Sequence, residues 1–141
     1  MVNHLVLFRH IVDEMVNHCQ TDFPYEACGF LIGSSTEVRT VNKVKKAKNQ
    51  ATTRNRYIID PFEYYTVEHS LDTSNYSILG FYHSHPDGSP HPSRFDIKDA
   101  WPEYSYLIIA LTQTKEVTIK SWQIDSKTGE CQEEPIRVLE S

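Results

Sequence analysis

The strongest constraint on the fold is an apolar run near the middle of the chain, Tyr76-Ser-Ile-Leu-Gly-Phe-Tyr-His83. Aromatic and β-branched residues without charges are typical of a central strand that is buried on both faces. The run ends in a pair of histidines, His83 and His85, and a segment rich in proline and glycine follows directly, from Pro86 to Pro92. The sequence therefore predicts a central strand that delivers polar side chains to a tight loop.

The patterns around this strand predict the remaining elements. Apolar residues recur at helical spacing from about Asn3 to Gln20, which indicates an amphipathic helix, and Cys28 to Gly33 has the composition of a short buried strand. Further strands are predicted at 37–45, 56–60, 104–112, 117–124 and near 136–139, and helices are predicted to open at Asp60-Pro61 and at Ser93. This order favours an α+β fold, with a mixed central β-sheet flanked by helices in three layers.

The length and composition predict one soluble domain. A chain of 141 residues is the size of a single domain, residues 1–141, and it contains no apolar stretch near the roughly 20 residues that span a membrane. The three cysteines form no Cys-x-x-Cys pair, which favours the reducing cytoplasm. The formal net charge of −5 argues against a general nucleic-acid binder.

The segment after the central strand has the residue types of a metal site. Side chains two apart on a strand point to the same face, so His83 and His85 can reach one cation while the returning loop supplies Asp96. Two histidines and one carboxylate are a usual ligand set of catalytic zinc, although Fe2+ or Mn2+ can occupy it. Taken alone, each piece has a structural explanation: a single histidine is usually a surface residue, and Ser93-x-x-Asp96 is also an ordinary helix capping box.

The spacing His-x-His, seven residues, Ser, two residues, Asp resembles the JAMM motif of the MPN-domain metallopeptidases at His83, His85, Ser93 and Asp96. The upstream segment 24–33, which carries Glu26 before Cys-Gly-Phe-Leu-Ile-Gly, is similar to the glutamate element of the same family. The resemblance covers nearly the whole chain and implies the MPN (cytidine-deaminase-like) fold.

The resemblance also implies roles for these residues. His83, His85 and Asp96 would bind Zn2+, Glu26 would be the general base for a zinc-activated water, and Ser93 would steady the water or the oxyanion. The implied reaction is hydrolysis of a peptide or isopeptide bond after the C-terminal Gly-Gly tail of a ubiquitin-like or sulfur-carrier protein, which is the expected partner.

Two other functions are compatible with the same motif. One is a noncatalytic MPN module that binds a partner, although relatives of that kind usually lack motif residues that are present here. The other is a RadC-like DNA-associated protein, whose motif is similar around Pro92-Ser93-x-x-Asp96; the acidic charge balance counts against it. The sequence leaves open which carrier is cut and whether the protein is a monomer or a homodimer.

Overall fold

The structure, a computed structural model, describes residues 4–51 and 53–140. Within these ranges the chain forms eight strands and three helices. The strands are β1 (Leu5–Phe8), β2 (Cys28–Ser34), β3 (Arg39–Ala47), β4 (Ser77–Pro86), β5 (Ser105–Leu111), β6 (Val117–Ile124), β7 (Cys131–Glu134) and β8 (Ile136–Leu139), and the helices are α1 (Arg9–Asp22), α2 (Pro61–Ser70) and α3 (Arg94–Asp99).

All eight strands belong to one mixed sheet, in the order β7-β6-β5-β4-β2-β3-β1-β8. The predicted central strand is β4, which runs antiparallel to β2 and parallel to β5. Every residue from Ile78 to Ser84 is buried, as expected for a strand covered on both faces. The prediction of a mixed sheet flanked by helices is confirmed.

The helices cover opposite faces of this sheet. On one face, α1 packs its buried side chains Ile11, Val12 and Met15 into a core with Leu31 and Leu107. On the other face, α2 contributes the buried side chain of Val67 to a second core, lined by Phe30 and Phe81 among others. The two cores give the molecule its three layers.

The two ends of the sheet are consecutive in the chain. Strands β7 and β8 lie at opposite ends of the strand order, yet only Pro135 separates them. The sheet must therefore curl until its edges meet at this proline. Its carbonyl accepts a hydrogen bond from the Leu5 amide at 2.8 Å, which ties the junction to β1.

A mostly buried ion pair spans this curled sheet. Arg39, at the start of β3, donates to the Leu79 carbonyl at 2.7 Å and to the Ser105 hydroxyl at 2.8 Å, and its Nε lies 3.6 Å from a carboxylate oxygen of Glu134. The other oxygen of Glu134 accepts a hydrogen bond from Ser121 at 2.8 Å. One guanidinium thus links β3 to β4, β5 and β7.

Two predicted elements differ from the structure, and one observed strand was not predicted. The segment predicted to begin the first helix is instead strand β1, whose Leu5 and Leu7 are fully buried between β3 and β8, and the helix starts at Arg9. The segment 56–60 is not a strand, and β7 was not predicted. Contacts with residues distant in sequence determine the structure of these segments and override their local sequence patterns. The predicted helix start at Asn3 and the domain limits 1 and 141 lie outside the described residues.

We predict that Glu134→Leu destabilises the protein by about 3 kcal/mol, because it leaves the largely buried Arg39 guanidinium without its carboxylate. The measurement is the free energy of unfolding from urea denaturation. The matched control is Glu133→Leu at the preceding position, whose pair with Lys120 is solvent-exposed and should contribute less than about 1 kcal/mol. Equal losses in the two variants would show that the buried ion pair does not stabilise the curled sheet.

Candidate metal centre

The site begins where β4 leaves the sheet. His83 is fully buried, paired with Cys28 on β2 and with Ile108 on β5, and His85 follows two residues later on the same face. Their Nε2 atoms lie 3.1 Å apart. The central strand therefore brings two ring nitrogens to one point, as the spacing predicted.

The third residue of the site, Asp96, lies in the first turn of α3. Asp96 Oδ2 lies 3.2 Å from His83 Nε2 and 3.0 Å from His85 Nε2, and it accepts a hydrogen bond from the Ser93 amide at 2.8 Å. The Ser93 hydroxyl in turn accepts from the Asp96 amide at 3.1 Å, which completes a capping box. The capping and metal-site interpretations of this motif are thus compatible, because the cap holds the carboxylate that faces the histidines.

The spacing of these three atoms fits a metal ion. Ligands about 2.0 Å from a tetrahedral zinc lie about 3.3 Å from one another. His83 Nε2, His85 Nε2 and Asp96 Oδ2 are separated by 3.0–3.2 Å, which is close to that value. Two imidazoles and a carboxylate form a donor set that suits Zn2+, with room in the coordination shell for a further ligand.

The two histidine rings differ in their hydrogen bonds and in the direction in which their pKa is shifted. His85 Nδ1 donates to the Ser89 carbonyl at 2.8 Å, so Nε2 carries the lone pair when the ring is neutral and donates to Asp96 Oδ2 when the ring is protonated. Burial lowers the pKa of His83 despite the opposing Asp96 charge, which favours the neutral ring that a metal requires. Burial also disfavours the charged form of His85, but the hydrogen bond with Asp96 raises its pKa.

The carboxylate is held in its charged form. Burial alone would raise the pKa of Asp96, but the charge of His83 in its protonated form and hydrogen bonds from both histidines and the Ser93 amide hold it well below its usual range. A proton shared with His85 and a metal ion would compete for the same carboxylate and ring nitrogen, so binding of a cation would release that proton.

Glu26 faces the same histidines from the segment just before β2. It is 4% exposed, and one carboxylate oxygen lies in a group with His83 and His85 whose ligand atoms are all within 4.8 Å of one another. Burial raises the pKa of Glu26 to about 8, with His85 opposing the shift and Asp96 adding to it. Its Oε1 has no hydrogen-bond partner in the described part of the chain. The structure thus brings Glu26 next to the trio formed by His83, His85 and Asp96, but more loosely than those three atoms approach one another.

Two aromatic residues complete the surroundings. The Tyr57 ring stacks on His83 with centroids 4.3 Å apart, and Trp122 donates from Nε1 to the Pro90 carbonyl at 2.8 Å, which holds the loop between His85 and Ser93. The sequence analysis placed both residues in predicted strands, Tyr57 in 56–60 and Trp122 in 117–124. Neither has a local signal for the site, because both reach it only through the tertiary fold.

The prediction of a short buried strand that begins at Cys28 is confirmed. Cys28 is a fully buried strand residue, and burial raises the pKa of its thiol to about 12, so it is not a reactive thiolate. His91 is an exposed loop residue that packs on Trp122 and lies outside the trio.

The comparisons with known proteins agree with this geometry. The chain is 37% identical over 102 residues to the desampylase of Haloferax volcanii, covering 68% of this chain and 73% of the relative. It is 29% identical over 137 residues to the CysO-cysteine peptidase of Mycobacterium tuberculosis, covering 96% and 92% of the two chains. A probable TtuB-protein conjugate cleaving protease of Thermus thermophilus is 32% identical over 107 residues, with coverage of 74% and 70%.

Solved structures and a family model extend the match to the fold. A Desulfitobacterium hafniense protein superposes with a TM-score of 0.84 at 30% identity, over 97% of this chain and 94% of that one. A Salinibacter ruber protein superposes with a TM-score of 0.71 at 25% identity, over 94% and 90%. Among the described helices, none has the length and apolar character needed to cross a membrane. The model for the prokaryotic homologues of the JAB domain matches residues 8–125, and the chain belongs to this JAMM-type family.

Proposed function

We propose that this protein is a zinc-dependent peptidase that hydrolyses the peptide or isopeptide bond after the C-terminal Gly-Gly tail of a ubiquitin-like or sulfur-carrier protein. The observation that carries the proposal is the convergence of His83 Nε2, His85 Nε2 and Asp96 Oδ2 at 3.0–3.2 Å, with buried Glu26 beside them. His83, His85 and Asp96 would hold the metal. The three described cysteines are free, which supports action in the reducing cytoplasm.

Zinc bound there would polarise the scissile carbonyl and lower the pKa of water toward about 7. Glu26 acts as the general base: it takes the proton of the attacking water and gives it to the leaving amine. Its desolvated position suits both steps, because a carboxylate whose pKa lies near the working pH accepts and returns a proton readily.

Ser93 has a second task in this proposal. Its oxygen already accepts the Asp96 amide, but its O–H remains available as a donor. Directed at the carbonyl oxygen of the substrate, this O–H would stabilise the negative charge that grows there during attack.

The substrate class is supported by relatives and by the shape of the site. One relative is named a CysO-cysteine peptidase, and another is named a probable TtuB-protein conjugate cleaving protease. Glu26 and His83 are buried, so the reacting chain must be thin to reach them. A glycine pair has no Cβ atoms and offers the least bulk at this point.

We predict that Glu26→Gln keeps stoichiometric zinc and lowers kcat on a Gly-Gly tail fusion by at least about 100-fold, because it removes the proton acceptor but no tight ligand. The double variant His83→Ala/His85→Ala should lose both zinc and activity. Zinc content by atomic absorption, measured beside cleavage, separates the two roles.

Three outcomes would contradict these assignments. Loss of zinc from Glu26→Gln would make Glu26 a ligand and leave the site without its proposed base. Full zinc in the wild type with no cleavage of any tail fusion would favour a noncatalytic partner-binding module, and salt-sensitive DNA binding would favour a RadC-like role.

We also predict that replacing the Gly-Gly pair of the tail by Val-Val lowers kcat/KM by at least about tenfold, since the added side chains cannot enter beside the buried His83 and Glu26. The measurement is the rate of cleavage of matched fusions that differ only at these two residues. Unchanged cleavage would remove the glycine tail from the proposed substrate.

A further inference from the structure

One peptide group beside the metal centre is held at both ends by side chains from distant parts of the chain. It is the group that joins Glu26 to Ala27. Its carbonyl oxygen accepts a hydrogen bond from Asn49 Nδ2 at 3.0 Å, and its N–H donates to Ser84 Oγ at 2.8 Å. Side-chain bonds of this kind on both sides of a single peptide fix its plane.

Ser84 is the residue between the two histidines. It is fully buried, and its side chain points to the face of β4 opposite His83 and His85. Besides accepting the Ala27 N–H, Ser84 donates its own amide to the Ala27 carbonyl at 3.0 Å. The strand that supplies the two histidines therefore also holds the residue that follows Glu26.

Asn49 uses its whole hydrogen-bonding capacity. Its Nδ2 donates to the carbonyls of Glu26 and Arg56, at 3.0 and 3.1 Å, and its Oδ1 accepts from the amides of Ala51 and Ile58, at 2.9 and 3.0 Å. Arg56 directly precedes Tyr57, whose ring stacks on His83. One amide thus connects the backbone of Glu26 to the segment that covers a metal-site histidine.

The side chain of Glu26 depends on this backbone support. Its Oε1 is buried and has no hydrogen-bond partner within the described ranges, so that oxygen is not anchored by a bond of its own. The direction of the side chain is then set by packing and by the peptide from which it projects. A displacement of about 1 Å at a catalytic group can lower a rate about 100-fold.

We propose that Asn49 and Ser84 are positioning residues that together fix the Glu26–Ala27 peptide and so aim the Glu26 carboxylate at the histidine pair. The effect on catalysis rests on the proposed function, but the effect on the peptide does not. The side-chain hydrogen bonds that carry this proposal go to the peptide and not to the trio. Asn49 lies outside the motif that identified the site, whereas Ser84 occupies the unspecified position between its two histidines.

The experiment compares Ser84→Ala, Asn49→Ala and Asn49→Asp. Asn49→Asp keeps an oxygen for the amides of Ala51 and Ile58 but loses the donors to the Glu26 and Arg56 carbonyls. Zinc content, kcat and KM on a tail fusion, and hydrogen exchange of the Ala27 amide by NMR are measured for each. The control is Ser74→Ala, which removes hydrogen bonds at the end of α2.

We expect all three variants to keep zinc and to lower kcat by about tenfold or more, with KM within about twofold, because they misdirect the base without removing substrate contacts. The Ala27 amide should exchange at least about tenfold faster in Asn49→Asp, although Asn49 does not contact that N–H, since both bonds hold one peptide. Ser74→Ala should change neither kcat nor this exchange rate.

Combining Ser84→Ala with Asn49→Asp should lower kcat by less than the product of the single effects, because the first substitution already frees the peptide. Asn49→Asp combined with Ser74→Ala should give the simple product. Multiplicative effects in the first pair would mean that the residues act independently and would overturn the proposal.

The remaining outcomes are also decisive. Wild-type levels of kcat and Ala27 exchange in Asn49→Asp, with losses only in Asn49→Ala, would assign Asn49 to loop structure alone and overturn the positioning role. An inactive wild type whose Ala27 exchange still responds to Asn49→Asp would refute the proposed function while leaving the fixed peptide in place.

Discussion

The rest of the site depends on one arrangement at the end of the buried strand β4. His83 Nε2, His85 Nε2 and Asp96 Oδ2 lie 3.0–3.2 Å from one another there. Such a cluster is costly to desolvate unless a cation or shared protons compensate it. The surrounding structure serves to hold it together. The capping box orients Asp96, the Ser89 carbonyl fixes the tautomer of His85, and Trp122 holds the intervening loop through the Pro90 carbonyl.

Strand β4 contributes side chains to both faces of the sheet, because successive side chains along a strand point in opposite directions. His83 and His85 point to the site, whereas Tyr82 and Ser84 point to α1. On that second face the Tyr82 hydroxyl lies 2.7 Å from His18 Nδ1, and the other nitrogen of this ring lies 3.3 Å from Asp22. The Tyr82 hydroxyl and the His18 ring, which are buried on the face opposite the site, are thus paired with each other.

Pairing between strands places Glu26, the proposed base, against these histidines. Cys28 on β2 pairs with His83 on β4, so Glu26, two residues earlier, lies beside the exit of β4. The curled sheet, whose two ends meet at Pro135 and which Arg39 and Glu134 link, has β4 and β2 at the centre of its strand order. The arrangement of the site is therefore a consequence of strand register, which explains how residues far apart in the chain act on one water molecule in the proposed reaction.

The sequence by itself determined the features that depend on neighbouring residues. The apolar run of β4, the i, i+2 spacing of His83 and His85, the Asp60 cap of α2 and the capping box at Ser93 are local, and each was found where predicted. The tertiary structure alone decided what depends on long-range pairing: that Leu5–Phe8 is a strand, that β7 exists, that segment 56–60 is not a strand, and that Asn49 and Tyr57 lie at the site. Local propensity differs little between these alternatives, so the contacts made by distant residues determine which one forms.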